Sequence, residues 1–105
     1  MADYQLWQPA KDRLEDIYLY SKQAWGKQQA EVYVASLFAR FEEIAQGTAQ
    51  SRLVPAEFQA DLFFTPCQKH FIYWKRLSDG SIGIVTILHQ SMHQIERFKE
   101  DFSLT

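Results

Sequence analysis

The side chains best suited to chemistry crowd into the last third of the sequence: Lys69, His70, Tyr73, Lys75, Arg76, His89 and His93. Between residues 62 and 94 there are three Lys or Arg against one Asp, together with all three histidines. The whole chain has a formal charge of −2 and a pI near 5.9. This is a local basic patch on an acidic protein. Ordinary surface charge at strand ends reads the same residues equally well. His89 directly follows an apolar run, where a hydrogen-bonded structural role competes with that of a general base. His93 sits in a first helical turn and is expected to face solvent. Phe71, Tyr73 and Trp74 alternate in direction, so only one or two of them could line a surface.

Other chemistries are not spelled out. Neither glycine-rich phosphate-loop pattern occurs, and the four glycines read as punctuation. Cys67 is the only cysteine, so no internal disulfide can form and no Cys/His set has zinc spacing. Packing at a strand end is the plain reading of Cys67, against that of a thiol nucleophile. No metal and no cofactor are expected. Asp12, Glu15 and Asp16 lie beside Lys11 and Arg13 and read as a solvated helix face with local ion pairs. A paired-carboxylate site is the alternative there.

These side chains must be carried by one domain, since 105 residues make room for a single core. A content of 47% hydrophobic and 15% aromatic residues is ample for it and excludes general disorder. The acidic balance argues against direct nucleic-acid binding by the chain alone. Met1-Ala2-Asp3-Tyr4 has neither a basic nor an apolar leader region, and no run is long enough to span a bilayer. No membrane association and a cytoplasmic location are therefore expected.

Residues 4–7 read as a short strand, followed by Pro9 at a helix start. Ala10, Leu14, Ile17, Tyr18, Ser21, Ala24 and Trp25 share one face at helical spacing. Gly26 has the character of a left-handed helix end. Ala30, Val34, Leu37, Phe38, Phe41, Ile44 and Ala45 form a second stripe, closed by Gly47. The short joint makes these helices an antiparallel hairpin. Residues 47–59 read as a loop. The period then drops to two, with strands over 62–65, ending at Pro66, then 70–75 and 82–88. Asp79-Gly80 marks the hairpin turn between the last two. The apolar run in 82–88 predicts a strand buried on both faces. Ser91 and Gln94 open a final helix over about 91–102 with a capping box. The fold class is α+β, β-α-α-β-β-β(-α): a helical hairpin packed on a small, mainly antiparallel sheet.

Several segments on these elements carry a family resemblance. Asp12-Arg13-Leu14-Glu15-Asp16-Ile17, then Trp25-Gly26 with Gln29-Ala30 and Tyr33, lie on and between the helices. His70-Phe71-Ile72-Tyr73-Trp74-Lys75 and Ile84-Val85-Thr86-Ile87-Leu88-His89 follow in the sheet. Together, and in this order over roughly residues 4–98, they resemble the ParE-type toxins of the RelE/ParE superfamily. The resemblance implies the toxin half of a type II toxin–antitoxin pair. ParE members poison DNA gyrase by binding, whereas RelE members cleave mRNA in the ribosomal A site. Both are silenced by a cognate antitoxin whose disordered segment folds on the toxin.

The charge balance favours the gyrase branch, since ribosomal nucleases of this fold are usually strongly basic. Relatives often carry Gly then Arg after the closing His, where this chain has Gln90 and Ser91. Thr86 stands where many relatives have Arg, and Gln8 where many have a capping Ser. The resemblance thus implies target contacts at Lys69, Tyr73, Lys75, Arg76, His89 and His93. For the antitoxin it implies Trp25, Tyr33, Phe38 and Phe41. A ribosome-dependent endonuclease, in which Lys75 and Arg76 would hold phosphate and His89 or Tyr73 would move the proton, and an antitoxin-binding module without toxicity are the competing readings.

Overall fold

Amphipathic stripes and alternating strands fold as their periods dictate, and a computed structural model describes residues 3–55 and 62–91. The elements are β1 (Tyr4–Leu6), α1 (Gln8–Trp25), α2 (Lys27–Gln46), β2 (Arg52–Leu53), β3 (Phe63–Cys67), β4 (His70–Arg76) and β5 (Ile82–His89). The expected final helix lies, apart from Ser91, outside the described residues, and His93 lies outside with it.

Pro9 opens α1 without cost, because the first helical N–H has no partner inside the helix. Gly26 joins the two helices alone, at φ 96° and ψ 163°. It differs from the left-handed terminator expected, since its ψ is extended. One residue must end α1, donating its N–H to Lys22 O, and start α2, offering its carbonyl to Ala30 N. Only glycine occupies that region readily. Gly47 is the left-handed stop of α2, at φ 80° and ψ 16°.

The sheet order is β1-β5-β4-β3-β2, with β1 parallel to β5 and the other pairings antiparallel. The segment read as a loop contributes β2, a two-residue strand pairing Arg52 with Phe64 and Leu53 with Phe63. β3 runs through Pro66 to Cys67. This is possible because β2 ends before it, leaving Pro66 on a free edge where no N–H is required.

One face of the sheet meets the hairpin through Ala10, Leu14, Ile17, Leu37, Phe41, Ile44, Ile72, Trp74, Ile84 and Ile87. The opposite face holds Val54, Leu62, Tyr73, Val85 and Leu88, with Trp7, Phe64 and Phe71 against them. The interior position of β5 and its unbroken burial from Ile82 to Leu88 follow from having both faces covered. Tyr73 opposes Thr86 while Trp74 opposes Ile84, so Val85 is an inserted residue. This bulge reverses the side-chain alternation of β5 beyond it. Among the described residues no helix is long and apolar enough to cross a membrane.

Candidate functional site

The bulge at Val85 decides where the histidines go. Arg76 opposes Ile82 at one end of the β4–β5 ladder, and His70 opposes His89 at the other. Without the extra residue His70 would oppose Leu88, and His89 would point to the other face. Instead the two imidazoles meet beneath the hairpin, ring centroids 5.0 Å apart and nearly perpendicular.

Tyr33 reaches down from α2 to the same place, its hydroxyl 2.6 Å from His70 Nδ1. The Lys69 N–H donates to that hydroxyl oxygen at 3.3 Å. His70 is 9% exposed. Burial, and secondarily the neighbouring His89, lower its pKa to about 4, so it is neutral at pH 7. Burial also raises the Tyr33 pKa, offset in part by the Lys69 N–H.

The residues after β5 support this arrangement. Ser91 N–H donates to His89 Nδ1 at 3.0 Å, and the Ser91 hydroxyl lies 2.7 Å from the same atom. Gln90 binds the β3–β4 turn twice, by its backbone N–H to Lys69 O at 2.9 Å and its side-chain amide to Gln68 O at 3.2 Å. Gln68 holds that turn in a left-handed conformation, φ 56°. Ser91 and Gln90 thus fix His89 and the turn bearing Lys69, respectively.

A cavity of about 760 Å³ opens above the imidazoles. Arg13, Asp16, Tyr20 and Trp25 from α1 line it, with Gln29 and Tyr33 from α2 and Lys69, His70, His89 and Ser91 from the sheet side. Tyr20 is 68% and Trp25 69% exposed, so both aromatic rings stand at its rim in water.

The sequence-predicted residues do not form one patch. Lys69 and His89 belong to this cavity, and so do Trp25 and Tyr33. Lys75 and Arg76 lie at the far end of β4, roughly 20 Å away at the rise of an extended strand. They also leave the sheet on opposite sides. Lys75 sits over the Trp7 ring at 5.9 Å, while Arg76 covers Trp74 at 5.6 Å and Phe63 at 5.9 Å.

Two assignments need correction. Tyr73 is 2% exposed, packed on the face away from the cavity, and burial raises its pKa. It has no surface to give a target. Phe41 is fully buried between the rings of Tyr4 and Phe38, so it builds the core rather than a partner surface. Phe38 beside it is 38% exposed. Cys67 is buried with its thiol toward Ser36 O, at 3.7 Å, consistent with packing. No group of three metal-ligating side chains occurs among the described residues.

Residues 4–94 match the profile of the family described as ParE toxin of type II toxin-antitoxin system, parDE. The chain is 33% identical over 94 residues to Toxin ParE1 of Caulobacter vibrioides, covering 89% of this chain and 94% of that protein. A solved chain described as "Chromosomal ParDE TA system from P. aeruginosa" superposes with a TM-score of 0.66 at 17% identity, covering 85% of this chain and 96% of the other. At that identity the superposition speaks for the fold.

Proposed function

The chain belongs to the ParE toxin family of type II toxin–antitoxin systems, and on that premise we propose that it inhibits DNA gyrase by binding. It acts in the cytoplasm, blocks replication, and is silenced by a cognate antitoxin whose disordered segment folds on it. The observation that carries this reading is the separation of Lys75 and Arg76 from His89. A nuclease must bring positive charge and a proton-moving group to one scissile phosphate. Here Lys75 and Arg76 stand at the opposite end of β4 from His89, which shares its cavity with Lys69 and Arg13 but also with the carboxylate of Asp16. Tyr73 is buried on the other face, and Ser91 engages His89 Nδ1. This geometry, with the net charge of −2, favours seizing a protein over cutting RNA.

An antitoxin is supported by the exposed apolar surface on the hairpin. Leu19, Tyr20, Trp25, Val32 and Phe38 are all large and exposed. The Pseudomonas structure comes from a ParDE system, in keeping with such a partner.

One observation favours a second reading, an antitoxin-binding module without toxicity. Thr86 is buried, and Gln90 and Ser91 are engaged within the chain, at positions where many relatives offer Arg or Gly. Induced expression without the antitoxin separates the readings. Filamentation with intact mRNA supports gyrase inhibition, codon-phased mRNA cuts support the nuclease, and normal growth with abundant protein supports the module.

A further inference from the structure

We propose that the cavity above His70 seats a carboxylate side chain of the antitoxin's folding segment, between Lys69 and His70, with apolar neighbours of that segment against Trp25 and Tyr20. The proposal rests on the antitoxin reading above and names what that partner must bring.

A polar floor is the first argument. The Tyr33 hydroxyl meets His70 Nδ1 at 2.6 Å and accepts from the Lys69 N–H at 3.3 Å. The His89 ring lies 5.0 Å from that of His70, and both line the cavity with Lys69. Lys69 adds a cation to these imidazoles, which suits an acceptor-rich ligand.

Charge is the second. The ionised groups lining the cavity are Arg13 and Lys69 against Asp16, an excess of positive charge on a chain of net −2. Asp16 on the wall penalises a dianion more than a monoanion, which selects a carboxylate over a phosphate. The groups facing His70 are Arg13, Asp16 and Tyr20 on α1, Tyr33 on α2, Lys69 and Cys67 at the β3–β4 turn, and His89 on β5. None of the sheet-side groups is a carboxylate, so an incoming one becomes the nearest anion to the imidazoles there. It favours the protonated form of His70, and binding takes up protons at mildly acidic pH.

The rim is the third. Tyr20 and Trp25 present rings in water beside a polar floor, the arrangement of an anchor site with aromatic walls.

The test uses the full chain and a synthetic peptide of the C-terminal segment of the antitoxin from the adjacent gene. A second peptide has every Asp and Glu replaced by Asn and Gln. In calorimetric titrations, Lys69→Glu weakens binding of the parent peptide tenfold or more. The acid-free peptide loses a similar factor, and the two losses are not additive. Parent affinity rises at least threefold from pH 7.5 to 5.5, with proton uptake seen by comparing buffers. Lys11→Glu, the same charge change at the other end of α1, stays within twofold. Undiminished binding by Lys69→Glu, or binding without proton uptake, overturns the carboxylate seat while leaving the antitoxin reading intact. No binding by the parent pair overturns both.

Discussion

The hydroxyl of Tyr33 on α2 stands 2.6 Å from Nδ1 of His70 on β4, and this contact ties the helical hairpin to the end of the sheet. The Lys69 N–H to the same hydroxyl and the Cys67 thiol to Ser36 O add to it, beside apolar packing through residues such as Ile17 and Ile87. Tyr33→Phe keeps the ring and removes the bond, leaving the part-buried Nδ1 without this partner. A loss of about 1–3 kcal/mol is expected, seen as a fall in Tm of several degrees by circular dichroism. An unchanged Tm contradicts the role given to this contact.

Stability should depend on pH through His70. Its pKa is about 4 when folded against a usual 6.5. Between these values the unfolded chain holds more protons, so stability rises with pH across that window. It is fully present above about 6.5, is lost as pH falls, and levels off below about 4. The difference of 2.5 pH units amounts to roughly 3 kcal/mol at most. Urea denaturation from pH 4 to 7 measures it. His70→Gln should flatten the curve; a steep parent curve retained in that variant contradicts the assignment.

Gly26 carries two helix ends in a conformation nearly confined to glycine. A Cβ there would meet nothing within 4 Å, so the cost of Gly26→Ala is backbone strain alone. About 1–3 kcal/mol is expected, and thermal melting reads it. A neutral outcome would mean that the two helices can be joined another way.

Gly83 is required for a different reason. A Cβ there would lie 2.8 Å from Trp7 Nε1 and 3.2 Å from Trp7 Cε2. Gly83→Ala must displace the indole from the sheet and loosen its contact with Lys75. A cost of about 1–3 kcal/mol and altered tryptophan emission are expected. Emission and stability like the parent's would show that the ring yields freely.

Much of this fold was legible because its signals are periodic. The stripes ending at Trp25 and Ala45, the Asp79-Gly80 turn and the apolar run of β5 each specify an element locally. β2 was not legible, since two residues carry no period and Arg52–Leu53 form a strand only by pairing with β3. The site was legible in composition but not in arrangement. Which face His89 takes depends on a bulge at Val85, and nothing local distinguishes that valine from its neighbours. Counting back from the Asp79-Gly80 turn puts His70 within one residue of His89, the only signal that joins them. The division of Lys69 from Lys75 and Arg76 follows from strand length once residues 70–76 are read as extended.

The central claim is that this toxin acts by seizing gyrase, and one assay reaches it directly. Purified protein is added in micromolar excess to gyrase on supercoiled plasmid, and the DNA is analysed after denaturation of the enzyme. Trapped, cleaved plasmid that disappears when the antitoxin is added first is the expected result. Undiminished gyrase turnover with no cleaved DNA would contradict it.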